Sequence, residues 1–310
     1  MPPSASTPDV GAVLRTVSAP HVLRTLDRLR LAAQHSVTQR PGNTPVARAT
    51  QASGLELANH KAYAPGDDLR HLDWNAYGRL DQRLVKTFRA EREAPVHLIV
   101  DTSASMAVPP ADGKLAFAAG LAAGLGYVAL RQSNPVRAVA IGDGRGSRIS
   151  ALLRHVQRLP DLLRFLAALE AGGATRLGEG IDAYLRSTHL PGTVVVLSDF
   201  LVEPSTYEAA LDRLRGRGYH VLALRVIGPL ERDPSFLPRQ LRLHDAETNA
   251  ERLVDLTAAH RARYGRAVEE HLARLKRWCA ARAIGFATAE TAAGIETCLL
   301  AELPRAGLLQ

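Results

Sequence analysis

Residues 96–106 read VHLIVDTSASM. Five strand-forming residues run straight into a carboxylate, Asp101, and then into two hydroxyls on alternate positions, Ser103 and Ser105. A short apolar run that ends so abruptly reads as a buried strand delivering polar groups to the edge of a sheet. The text beyond it keeps a strand–helix rhythm. Strands are predicted at VRAVAIGD (136–143), TVVVLSDF (193–200), YHVLALRVI (219–227) and GFATAE (285–290), with SRISALL (147–153) as a hairpin partner of the first. Helices are predicted at 114–131, 161–170, 177–189, 206–215, 258–282 and 293–303. Strands alternating with helices predict an α/β fold, a doubly wound and mostly parallel sheet with helices on both faces.

The flanks of that core differ. Residues 1–20 are rich in Pro, Ser and Ala and are expected to be a flexible N-terminus. A helix is expected from residue 21, followed by a small β-rich subdomain up to 94, in which RLVKTF (83–88) alternates as a strand does. The segment 240–257 reads as a hairpin around Glu247-Thr248-Asn249 and is expected to join that subdomain. The core domain is then 95–235 together with 258–304.

Composition narrows the class. Of 310 residues, 46% are hydrophobic and 23% charged, which excludes disorder and fibres. The net charge of +8 raises anionic partners, but the arginines are scattered, as on an ordinary soluble surface. Cys279 and Cys298 form no CxxC pair, so no zinc site is indicated, and two thiols suit a reduced, cytoplasmic setting. The N-terminus lacks the pattern of a signal peptide. The uncharged run LAFAAGLAAGLGYVAL (115–130) is expected to be a core helix, short of the roughly 20 residues that span a bilayer.

In open α/β sheets, ligands bind outside the carboxyl ends of the strands, where strand order reverses. Asp101 ends one apolar strand and Asp199 another, and the glycine-rich AGGATRLGEG (171–180) carries Thr175 just before a helix. If the strands are neighbours, two carboxylates and three hydroxyls share one sheet edge. Oxygen donors with few charges suit a small hard cation, Mg²⁺ or Mn²⁺, with Ser103, Ser105 and Thr175 bonding it and Asp101 and Asp199 behind them. Such an ion would accept a carboxylate from outside. The alternative for the same residues is a helix cap or Asx turn. His97 alternates with apolar neighbours and is expected to be a buried, hydrogen-bonded histidine; Glu179 and Asp182 are expected at the surface. Gly142-Asp143-Gly144-Arg145-Gly146 lies between strands and is expected to be a turn, not a phosphate loop.

The pattern Asp101-Thr-Ser-Ala-Ser105, Thr175 and Asp199 resembles the metal-ion-dependent adhesion site of von Willebrand factor A-like domains. Upstream, Tyr63, Pro65, Gly66, Asp67, Asp68, Arg70, Asp73, Trp74, Arg79, Leu84, Lys86 and Glu91 match the signature of domain-of-unknown-function family fifty-eight. The resemblance covers roughly residues 50–300. It implies a von Willebrand A-like domain with a small β-rich elaboration, acting as an adaptor for a MoxR-type AAA+ ATPase in protein maturation or stress response. Some members carry membrane helices before the signature, and none is read here. Asp73 is expected to cap the segment after it, with Trp74 as an anchor. Two other functions compete. A metal-dependent phosphatase or hydrolase would use Asp101 as nucleophile, although Ser103 stands where a haloacid-dehalogenase-type enzyme has a second aspartate. A nucleic-acid binder is supported by charge alone.

Overall fold

The computed structural model describes residues 9–31, 55–65, 72–90, 94–142, 147–174, 176–188, 190–233, 235, 237–244 and 251–310. The chain divides into a larger unit, residues 1–36 with 94–310, and a smaller one, residues 37–93.

Two helices open the larger unit, α1 (Val10–Val17) and α2 (Pro20–Leu26). Asp9 caps α1 by accepting the Ala12 amide, and Leu14 and Val17 are buried. The expectation of a flexible tail over 1–20 is therefore corrected for residues 9–20: the Pro/Ser-rich flank hides a capped amphipathic turn. The helix expected from residue 21 is shorter than predicted. Its chain leaves α2 and pairs with the C-terminus, Arg30 and Gln310 exchanging backbone hydrogen bonds. This first segment belongs to the larger unit rather than to the β-rich subdomain.

The smaller unit contains β1 (Leu55–Ala62), α3 (Trp74–Leu80) and β2 (Leu84–Ala90). β1 and β2 pair antiparallel, with an irregularity between Leu57 and Asn59. Asp73 caps α3 as expected, its Oδ1 accepting the amides of Asn75 (3.0 Å) and Ala76 (3.1 Å). Trp74 is exposed. Gly66, Asp67, Asp68, Arg70 and Glu91 of the signature lie outside the described residues.

The larger unit continues with β3 (Val96–Asp101), α4 (Lys114–Arg131), β4 (Val136–Ile141), β5 (Arg148–Ile149), α5 (Leu159–Ala167), α6 (Leu177–Ser187), β6 (Thr193–Ser198), α7 (Pro204–Gly216), β7 (His220–Ile227), α8 (Pro229–Arg232), β8 (Gln240–His244), β9 (Glu251–Asp255), α9 (Ala258–Ala280) and β10 (Gly285–Glu290). Six strands form one sheet in the order β10-β7-β6-β3-β4-β5. All pairings are parallel except β4 with the short β5. β3, β4, β6 and β7 are buried almost throughout, which their continuous apolar text requires of strands covered on both faces. Two apolar clusters flank the sheet. One joins α1, α2, α4 and α5 to Val96, Leu98 and Val100 of β3; the other joins α6, α7 and part of α9 to Ile99. β8 and β9 form a separate two-stranded ladder inside the larger unit, so the expected hairpin exists but does not belong to the β-rich subdomain.

α4 has no polar face: every residue from Lys114 to Leu130 is buried. Among the described residues, the segment Pro110–Arg131, 22 residues, is long and apolar enough to cross a membrane by length and composition, and 89% of its apolar window is buried within the fold. The uncharged run 115–130 is the buried core helix expected of it. Its glycines allow close approach. A Cβ on Gly126 would lie 2.4 Å from Leu162 and one on Gly124 2.6 Å from Leu299.

Candidate functional site

The chain passes from β3 to β4 on one side, then returns to place β6 on the other side of β3. The reversal point therefore lies between β3 and β6, with Val100 opposite Leu197 in register. Asp101 and Asp199 leave these adjacent strands at the same end, as the sequence predicts.

Asp101 is buried and both its oxygens are engaged. Oδ1 accepts the Ser103 amide at 2.9 Å, and Oδ2 accepts the Ser198 hydroxyl at 2.5 Å. The first bond closes an Asx turn that folds the loop back, setting the Ser103 and Ser105 hydroxyls 3.0 Å apart. Gly142 packs against this turn. Its φ is +112°, and a Cβ there would sit 2.8 Å from the Ser103 nitrogen. Thr175 lies outside the described residues, but the loop leading to it is tied to the same turn. The Gly172 amide donates to the Thr102 carbonyl (2.9 Å), and the Ala104 amide donates to the Gly173 carbonyl (3.0 Å).

Asp199 meets a protein cation. The Lys114 Nζ donates to Asp199 Oδ2 at 2.8 Å and to Glu231 Oε2 at 2.5 Å, and the Leu201 amide donates to Asp199 Oδ1 at 3.1 Å. Arg225, also buried, places its guanidinium 3.8 Å from Glu231 Oε1 and donates from Nε to the Asp199 carbonyl at 3.4 Å. Glu231 is positioned through Asp112, whose carboxylate accepts the amides of Leu230 and Glu231, each at 3.2 Å. Tyr264 of α9 donates its hydroxyl to the Glu231 carbonyl at 2.6 Å.

The electrostatics follow from burial. Desolvation, and then the nearby Asp199 carboxylate, push Asp101 up to about 6 against the hydrogen bonds from Ser198 and Ser103. Burial alone would lower Lys114, but Asp199 and Glu231 together outweigh it and hold the ammonium above its ordinary range. Lys114 is therefore charged.

Lys114, Ser198, Arg225, Glu231 and Gly142 are the parts of this site that sequence reasoning missed. Two signals were present. Arg225 is the one charged residue inside the apolar run of β7, and Lys114 heads a run of 16 uncharged residues. His97 is buried as expected, its Nε2 paired with the Leu190 carbonyl at 3.1 Å. Glu179 and Asp182 make surface ion pairs with Arg176 and Arg213.

The donors fit a small oxygen-seeking dication on the Asp101 side. Two hydroxyls share one loop, with a buried carboxylate fixed behind them by hydrogen bonds. Among the described residues no group of three or more His, Cys, Asp or Glu side chains is arranged to hold a metal.

The family profile described as "Protein of unknown function DUF58" matches residues 59–274, and the chain belongs to that family. The uncharacterized protein Rv1480 of Mycobacterium tuberculosis is 30% identical over 244 residues, covering 76% of this chain and 75% of its own length. The structure of the conserved hypothetical protein BatB from Bacteroides thetaiotaomicron aligns with a TM-score of 0.40 at 14% identity, over 69% of this chain and 98% of BatB. An aerotolerance-related membrane protein from Bacteroides fragilis aligns at 0.39 with 15% identity, over 68% and 99%. A von Willebrand factor type A structure from Catenulispora acidiphila aligns at 0.32 with 20% identity, over 46% and 35%. The Bacteroides fragilis protein is named as a membrane protein, and the expected cytoplasmic location is not carried further.

Proposed function

We propose that this chain is a von Willebrand A-like protein-interaction module, with Ser103, Ser105 and Thr175 holding a Mg²⁺- or Mn²⁺-type ion and Asp101 and Asp199 behind them. The bound ion would supply the positive charge that captures a Glu or Asp from a partner protein. The partner proposed is a MoxR-type AAA+ ATPase or its client, in protein maturation or stress response. One observation carries the reading: the Asp101 turn presents two hydroxyls 3.0 Å apart at the reversal point of the sheet, and the loop leading to Thr175 is hydrogen-bonded to that turn.

The roles of the side chains follow from their contacts. Asp101 shapes the turn and orients the hydroxyls, because its own oxygens are taken by Ser103 and Ser198. Ser198 links that carboxylate to the next strand end and also accepts the Phe200 amide at 2.9 Å. Gly142 gives the turn the room it needs.

A phosphoryl-transfer role would need Asp101 free to attack and a cation facing the substrate. Lys114 does bring a cation to this edge, but its side chain is 1% exposed and faces Asp199 and Glu231. Interaction is therefore the reading supported best. The test is binding of the purified chain to the MoxR-type ATPase of the same genome, measured by interferometry in Mg²⁺ and in EDTA. EDTA, Asp101→Ala and Thr175→Ala should each weaken binding by at least about tenfold. Affinity unchanged by EDTA would contradict the proposal.

A further inference from the structure

α6 and α7 lie side by side, and between them is a cleft of about 300 Å³ lined by Asp182, Leu185, Arg186, Arg213, Gly216 and Arg217. The two helices lead into β6 and β7, which pair parallel. Their C-terminal ends, and the cleft with them, therefore lie toward the end of the sheet where those strands begin, away from Asp101 and Asp199. Arg213 of α7 reaches across to α6. Its Nε meets Asp182 Oδ1 at 2.7 Å, and its Nη2 donates to the Gly178 carbonyl at 3.3 Å. Arg186 and Arg217 are exposed, and neither side chain has a hydrogen bond or ion pair among the described residues. Three guanidiniums thus face one carboxylate. Asp212, the next carboxylate on α7, is held between Arg215 at 3.4 Å and Arg282 at 3.3 Å.

The geometry points to an oxyanion site in this cleft, for a ligand that carries a phosphoryl group. The negative end of a helix favours a cation, which accounts for each arginine singly. It does not account for three of them around one cleft, where like charges repel and Asp182 offsets only one. Arginine stays charged, and its planar fork of donors matches phosphate oxygens two at a time. Asp182 and Gly178 already orient Arg213, so Asp182 is a positioning residue, while Arg186 and Arg217 keep their donors for a ligand. The volume is at the low end of the range for small-molecule pockets. Gly216 leaves the wall open, since a Cβ there would meet no atom within 4 Å. A doubly charged oxyanion balances the two surplus cations. Free phosphate esters and lipid headgroups offer the same group. The cleft binds its ligand without the ion proposed at the Asp101 turn.

The experiment titrates the full-length chain calorimetrically with inorganic pyrophosphate, in EDTA and at low salt. A second arm measures cosedimentation with phosphatidylcholine vesicles, with and without phosphatidic acid. The native chain should bind pyrophosphate or the phosphatidic acid vesicles. Arg186→Ala and Arg217→Ala should each weaken that binding by about tenfold, the loss of a charge-assisted hydrogen bond. Gly216→Glu sets a carboxylate in the open wall while keeping every arginine, and should weaken binding as much. Arg266→Ala removes an exposed arginine from α9, outside the cleft, and should leave binding unchanged. Pyrophosphate binding that the cleft variants weaken supports the site with a free phosphate ligand; the same loss seen with vesicles alone supports it with a lipid headgroup. Binding of neither probe would overturn the inference. So would affinities that the cleft variants leave unchanged, or that Arg266→Ala lowers equally, the mark of attraction to overall charge.

Discussion

Asp101 and His97 sit four residues apart on one buried strand, and their protonation acts on stability in opposite directions. Burial and Asp199 raise the Asp101 carboxyl to about 6, so the folded chain holds this proton more tightly than the unfolded chain does. Its contribution is present below the ordinary value near 3.8 and is lost as pH rises through about 6. Burial lowers His97 to about 4, against its hydrogen bond to Leu190. That contribution is present above 6.5 and is lost as pH falls toward about 4. The two slopes oppose each other between pH 4 and 6. Asp101→Asn should therefore expose the His97 slope, with stability falling as pH drops through that window. It should also raise the metal-free stability at pH 7 by about 3 kcal/mol. Chemical denaturation across pH checks both; an unchanged profile would contradict the assigned protonation. The Asp101 turn was legible because its residues are consecutive. Lys114 was not, since nothing local tells a solvent-facing lysine at a helix start from one turned inward onto carboxylates 85 and 117 positions away.

Among the elements, α4 shows where pattern reading succeeds and where it stops. Its uncharged text required burial, and burial is complete from Lys114 to Leu130. How closely it approaches its neighbours depends on which glycines meet which side chains, and that is fixed by packing between remote segments. Gly126→Ala tests the point. Alanine favours an isolated helix by about 1 kcal/mol, but its Cβ would fall 2.4 Å from Leu162, itself fully buried, and 3.2 Å from Leu98. Overpacking of this kind costs about 1–3 kcal/mol. The variant should be destabilised by about 1 kcal/mol despite its better helix propensity, seen as a lower midpoint in thermal unfolding; a higher midpoint would contradict the packing. The strands were equally readable as buried segments. By contrast, α1 was concealed because its flank is Pro- and Ser-rich and its cap, Asp9, precedes only eight helical residues.

For the whole molecule, strand order decides whether the remote residues form a site at all. The alternation of strands and helices predicted a parallel sheet, but only pairing places β6 beside β3 and so brings Asp199 to the same edge as Asp101. Periodicity could not assign the β8–β9 hairpin to a unit, because a two-stranded ladder reads the same wherever it packs. The same holds for the first segment, whose apolar stripe fits the larger unit's core. The most direct measurement of the proposed metal-dependent interaction is the anomalous scattering of a crystal grown with Mn²⁺ and acetate. The account predicts one anomalous peak within about 2.3 Å of the Ser103 and Ser105 hydroxyl oxygens, with Asp101 still bonded to Ser198 and Lys114 still on Asp199. A crystal with no peak at those hydroxyls, or with Mn²⁺ bound elsewhere, would contradict it.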